Sequence, residues 1–168
     1  MNGFYDINSS TISISKGMGK CYLSVTCYFE FKKPVALNLF ILEKDSINFS
    51  SKIQSILFHL SQDVNFSVTP ISFESHYNKS ECFTYILVRF SPDTNLVKKL
   101  VELPISAISL YAENIGILKY NIQEKPAIEL NIFFEKLLPI LLKPETIPDF
   151  LELSVSVDNI LKRKLKLF

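Results

Sequence analysis

The amino-acid sequence predicts an α+β fold in one domain. We expect mainly antiparallel sheet(s) of about seven to eight strands with three to four helices, in strand–strand–helix units. Apolar and polar residues alternate with a period of two in several segments. These segments come in pairs between segments of helical periodicity, which favours antiparallel hairpins. Since 168 residues fit one domain, we expect it to span 1–168, with a flexible N-terminus over 1–10 and a basic C-terminal helix or tail over 158–168.

The strands are predicted from the alternation. The longest covers residues 21–31, bounded by a turn at Gly17-Met18-Gly19 and a break at Lys32-Lys33-Pro34. The residues expected on its core face are Cys21, Leu23, Val25, Cys27, Phe29 and Phe31. Other strands are predicted at residues 11–15, 35–42, 64–73, 82–90, 105–112, 115–122 and 150–157.

Helical spacing predicts the first two helices. In residues 45–63, four apolar residues recur at that spacing: Ile53, Ile56, Leu57 and Leu60. A second helix is expected to begin at Ser91-Pro92-Asp93, with Ser91 as the cap and Pro92 at the first helical position. Pro104 is expected to end it.

A third helix is expected to open at Pro126 and to carry one apolar stripe through Leu141, with a kink at Pro139. Residues 128–134 also alternate, so a strand start remains an alternative there. A short fourth helix is predicted over residues 158–168.

The composition excludes several classes of protein. The hydrophobic fraction of 48% is too high for a disordered chain. With 18 Lys and Arg against 17 Asp and Glu, a broad basic surface for nucleic acid is not expected. The 3 Cys do not suggest a disulfide framework, and neither a signal peptide nor an apolar run of bilayer length is visible. We therefore expect a cytoplasmic or nuclear protein.

No motif predicts a catalytic, cofactor or metal site, and we expect none. Gly17-Met18-Gly19-Lys20 lacks the first glycine of a phosphate-binding loop, so a hairpin turn is the simpler interpretation. The two histidines, His59 and His76, belong to no hydrolase or metalloprotease pattern. The three cysteines are interpreted as small buried hydrophobic residues.

Aromatic side chains on the outer strand faces are the first candidate contact surface. Tyr22, Tyr28, Phe83 and Tyr85 project opposite the predicted core face. Because aromatic residues carry much of the binding energy in interfaces, we predict that these four bind a partner protein. The alternative is a three-layer or sandwich fold in which both faces of the sheet are internal.

The basic C-terminal tail is the second candidate. Lys162, Arg163, Lys164 and Lys166 lie within the last seven residues. Cations near a helix C-terminus also complement the helix dipole, so a purely structural role is equally compatible. The functional hypothesis is contact with RNA, an acidic partner or an anionic membrane.

These observations lead to three hypotheses. The first is a non-catalytic subunit, or an assembly or regulatory factor of an intracellular complex, that binds another protein as a homo- or hetero-oligomer. The second is an RNA- or ribosome-associated factor that uses the basic tail. The third, and least favoured, is a small enzyme without a recognisable motif.

Overall fold

A computed structural model of the protein describes residues 4–44 and 52–143. Within these ranges the chain forms ten strands and two α-helices, with a 3-10 turn at Ser61–Asp63. The strands are β1 Phe4–Asn8, β2 Ile12–Lys16, β3 Gly19–Glu30, β4 Lys33–Glu43, β5 Ile53–Leu60, β6 Asn65–Val68, β7 Ser72–Asn78, β8 Phe83–Phe90, β9 Ile105–Ala112 and β10 Gly116–Asn121. The helices are α1 Thr94–Glu102 and α2 Glu124–Leu142.

All strand pairs are antiparallel, and the ten strands belong to one sheet. Their order is β6-β5-β9-β10-β2-β3-β4-β8-β7, with β1 paired to β3 outside this path. Because β4 pairs along one edge of β3, β1 and β2 lie end to end along the other edge.

The predicted fold class was wrong in its balance of strands and helices. The described residues contain ten strands instead of seven to eight, and two α-helices instead of three to four. The N-terminus, expected to be flexible over 1–10, contains β1 and pairs with β3. The strand predicted at 150–157 and the helix at 158–168 lie outside the described residues.

The clearest error concerns the helix predicted over residues 45–63, where the structure has β5. Ile56, Phe58 and Leu60 alternate on the buried side of this strand. The pairing with β9 shifts between Ile53 and Ser55. This irregularity adds a residue to β5, so the buried residues Ile53 and Ile56 are three positions apart instead of two. A spacing of three is typical of a helix, which explains the wrong prediction.

Several other predictions were confirmed. Residues 105–112 and 116–121 form a hairpin, β9–β10, and both later helices are present. The third helix begins two residues before Pro126 and continues past Pro139 to Leu142 as one element. The strand start considered for residues 128–134 is therefore wrong.

The sheet curls around one hydrophobic core. Phe58 of β5 and Phe90 of β8 lie far apart in the strand order, yet their ring centroids are 5.8 Å apart. Both helices contribute to this core, for example through Leu100 of α1 and Leu137 of α2. Neither described helix is long and apolar enough to span a membrane.

Candidate protein-binding surface

The outer face of β1, β3, β4, β8 and β7 is the side of the sheet that points away from this core. Leu23, Leu39 and Val88 point inward and are fully buried. Because side chains alternate along a strand, the neighbouring residues of each strand point outward. The sequence therefore assigned Tyr22, Tyr28, Phe83 and Tyr85 to the correct face of their strands.

Cross-strand pairing divides the four predicted contact residues between two ends of this face. Tyr22 pairs with Leu42, Leu42 with Tyr85, and Tyr85 with His76, so these side chains form one row. The His76 and Tyr85 rings are 5.4 Å apart. Tyr28 lies six residues along β3 from Tyr22, which corresponds to roughly 20 Å. The structure does not bring the four residues together.

The centre of the outer face is not a solvent-exposed apolar surface. Phe83 has an exposed fraction of only 6%, and Phe40, Leu42 and Leu87 are buried as well. Tyr22, Tyr28 and Tyr85 are half-buried. Phe83 therefore offers little area to a partner in this structure, whereas part of each tyrosine remains accessible.

A polar row crosses the outer face between the two ends. Register places Asn8, Thr26, Asn38 and Arg89 side by side on successive strands. The Thr26 hydroxyl donates a 2.6 Å hydrogen bond to Asn8 Oδ1. Asn38 Oδ1 is buried with no hydrogen-bond partner among the described residues.

Asp6 lies beside this row and is poorly solvated. Burial raises the pKa of the Asp6 carboxyl to about 6, although the positive charge of Arg89 acts in the opposite direction. These two described side chains form no contact ion pair. The pKa of the Cys27 thiol is also raised, first by burial and then by the Asp6 charge, so this cysteine is an inert thiol.

An exposed aromatic group lies at the end of the outer face that carries Tyr28. Phe4 is 49% exposed and Phe31 is 72% exposed. The Phe4 ring is parallel to the Tyr28 ring at 6.4 Å between centroids and lies 5.7 Å from the Phe31 ring. We call Phe4, Tyr28 and Phe31 the aromatic corner.

Phe31 is held at the tip of a strained turn. Phe31 and Lys32 form the two-residue connection from β3 to β4, and both have positive φ, at 48° and 64°. Such turns usually contain Asn and Gly, because left-handed backbone costs other residues about 1–2 kcal/mol each. Strain of this kind is concentrated at functional sites, where it can position a contact residue.

Sequence reasoning found Tyr28 but missed the other two members of the corner. Phe31 was assigned to the core face because it continues the alternation of β3, whereas β3 ends at Glu30 and Phe31 lies in the turn. The Lys32-Lys33-Pro34 break beside Phe31 was the available signal. Phe4 was missed because residues 1–10 were expected to be flexible.

The candidate chemical groups remain separate from one another. His59 Nε2 lies 2.8 Å from Ser109 Oγ, while His76 lies on β7. Cys21 and Cys27 are buried as expected, but Cys82 is exposed, so the interpretation of all three as buried was wrong. Within residues 4–44 and 52–143, no three His, Cys, Asp or Glu side chains are close enough to hold a metal ion.

An open groove of about 250 Å³ lies where β2 and its turn meet the segment between β10 and α2. Gly17-Met18 forms the turn between β2 and β3, as the hairpin interpretation predicted. Among the described residues that line the groove, Lys20 is the single one with an ionisable side chain.

The basic residues Lys162, Arg163, Lys164 and Lys166 lie outside the described residues, so their prediction is unchanged. No family model, no curated protein and no solved structure matches this chain.

Proposed function

We propose that the protein is a non-catalytic subunit or assembly factor that binds another protein, with the aromatic corner as its principal contact. The observation that carries this proposal is the exposure of Phe31 on a turn whose backbone is strained by both of its residues. A phenylalanine at a hairpin tip adds nothing to the core of its own chain. Burying it against a partner would recover roughly 1.5–3 kcal/mol.

The surroundings of the corner also support an interface. Val35, 41% exposed, follows the turn in sequence, and Tyr28 donates a 3.2 Å hydrogen bond to Glu30. Lys32 and Lys33 add exposed charges beside the rings. Apolar rings bordered by polar groups resemble the centre and rim of an interface.

The proposal also covers the cellular compartment and the kind of complex that the protein joins. We infer an intracellular complex in the cytoplasm or nucleus, with a homo- or hetero-oligomeric partner. The support is that Cys21, Cys27 and Cys82 form no disulfide within the described part of the chain, as is usual in a reducing compartment.

The proposal is tested by affinity purification of the full chain with quantitative mass spectrometry of co-purifying proteins. Phe31→Glu is compared with Met18→Glu, because Met18 is an exposed apolar residue in the turn at the opposite end of β3. We expect a stoichiometric partner that Met18→Glu retains and Phe31→Glu loses by about tenfold or more. Equal recovery with both variants would show that the corner is not the contact.

RNA or ribosome binding by the C-terminal tail is the second candidate. Four basic residues in the last seven, interleaved with Leu165, Leu167 and Phe168, favour it. It predicts RNA affinity that falls steeply with added salt and disappears when residues 162–168 are removed. Electrophoretic mobility shifts at two salt concentrations measure both effects, and unchanged binding after truncation would exclude this version.

A further inference from the structure

One edge of β1, beside the aromatic corner, has no strand neighbour among residues 4–44 and 52–143. Within the described ranges β1 pairs only with β3. Ser9 N donates a 2.8 Å hydrogen bond to Val25 O. This bond shows that Ser9, and every second residue before it, directs its main-chain N–H and C=O toward β3. Since main-chain groups alternate in direction along a strand, the N–H and C=O groups of Phe4, Asp6 and Asn8 point away from β3. No described residue bonds to these outward main-chain groups.

The same three residues determine which side chains a new strand would meet. Phe4, Asp6 and Asn8 all project onto the outer face, where Phe4 contacts Phe31. A strand added to this edge would therefore place one residue over Phe4 and another, two positions away, opposite Asp6.

Charge distinguishes the possible occupants. If a second copy paired β1 with β1 around Asp6, two carboxylates would face each other, which destabilises a strand pair. A lysine or arginine opposite Asp6 would instead gain a favourable cross-strand pair. Arg89 does not neutralise Asp6 at contact distance, so the Asp6 carboxyl, only 9% exposed in the unbound chain, still lacks a contacting cation among the described residues.

We propose that the β1 edge binds an extended segment of a partner protein as an additional antiparallel strand, with a basic residue opposite Asp6 and an aromatic or aliphatic residue over Phe4 and Phe31. This inference rests on the proposed protein-binding function and specifies its mode. In an antiparallel pair the partner residue facing Phe4 comes two positions after the residue facing Asp6. The expected order in the partner is therefore basic, any residue, apolar.

The test uses a fluorescent peptide of about nine residues, rich in threonine and valine, with lysine–valine–phenylalanine at its centre. Its control carries N-methyl groups on alternate amides, which remove the edge hydrogen bonds. Two protein variants are matched. Asn8→Pro removes an outward N–H, while Asn8→Ala keeps it, and both lose the Thr26 contact.

We expect fluorescence anisotropy to show binding to the wild type and to Asn8→Ala. Binding should be about tenfold weaker for Asn8→Pro and undetectable for the N-methylated peptide. Hydrogen exchange at the Asp6 and Asn8 amides of the wild type should slow when the peptide is added, and this measurement does not depend on how well Asn8→Pro folds. Absence of binding, equal binding of the N-methylated peptide or unchanged exchange would overturn the inference.

The same variants separate this inference from the proposed function. If the cellular partner is retained by Asn8→Pro but lost with Phe31→Glu, the β1 edge is not used and the aromatic corner still is. If the partner is retained by both variants, the proposed function fails with it.

Discussion

At the scale of single residues, the buried carboxylate of Asp6 lowers the stability of the fold and is also the proposed contact for a basic residue of the partner. Its carboxyl lies on the outer face of an edge strand, where burial leaves the charged form poorly solvated. Arg89 compensates only in part, because the two side chains do not form a contact ion pair. A basic residue of the proposed partner would supply the missing positive charge.

The raised pKa of Asp6 makes stability depend on pH. Since the folded value of about 6 exceeds the usual 3.8, the folded state binds the proton more tightly, and the free energy of unfolding falls as pH rises through this interval. We expect the free energy of unfolding of Asp6→Asn to match that of the wild type near pH 3.5 and to exceed it by about 3 kcal/mol at pH 7.5. Urea unfolding of both proteins between pH 3.5 and pH 7.5 measures this difference in the free energy of unfolding. A difference independent of pH would contradict the assignment.

At the scale of elements, α1 shows how one side chain positions a helix. The sequence predicted Ser91 as the cap, but the helix begins at Thr94 and the Asp93 carboxylate accepts hydrogen bonds from Asn95 N, at 2.7 Å, and Leu96 N, at 3.2 Å. The start is therefore shifted because Asp93 both caps the first turn and complements the helix dipole.

Substitution of the two candidate caps distinguishes them. Asp93→Ala should lower the free energy of unfolding by about 1 kcal/mol, because two N–H groups lose their acceptor. Ser91→Ala should change it by less than about 0.5 kcal/mol, as is usual for an exposed residue outside the helix. Chemical denaturation of the two variants measures both free energies of unfolding. A larger loss for Ser91→Ala than for Asp93→Ala would show that Ser91 is the cap.

At the scale of the whole molecule, the two parts of the sheet meet at a narrow junction. β10 and β2 share a single residue pair, Asn121 with Ser15. A polar cluster reinforces it: the Tyr120 hydroxyl donates a hydrogen bond to Glu43 Oε1, and Lys16 Nζ lies 3.0 Å from Glu43 Oε2. Burial first, and then the Glu43 charge, raise the pKa of Tyr120, so its hydroxyl remains a donor.

Removing this hydroxyl tests the junction. Tyr120→Phe should destabilise the fold by about 2 kcal/mol, because buried Glu43 loses one of the two partners it has among the described residues. Tyr111→Phe, on half-buried Tyr111 of β9, is the matched control and should cost less than about 0.5 kcal/mol. Thermal and urea unfolding provide the comparison. Equal effects would mean that the cluster does not hold the two parts together.

The aromatic corner was only partly predictable from sequence. Tyr28 could be found because its place in the alternation of β3 is a local property. The exposure of Phe31 depends on a left-handed turn that its residue type disfavours, so no local preference predicts it. The role of Phe4 depends on the pairing of β1 with β3, in which Phe4 lies opposite Glu30, 26 residues away in sequence.

The sequence by itself determined which side of most strands faces the core, where the β9–β10 hairpin turns and where the two described helices lie. Period-two and helical patterns express burial directly, and capping and turn chemistry act over a few residues. Only the tertiary structure decided that residues 53–60 are a strand, that the sheet curls on itself and that β1 has a single strand neighbour among the described residues. These features depend on a pairing irregularity and on partners distant in sequence, which leave no periodic signal in the chain.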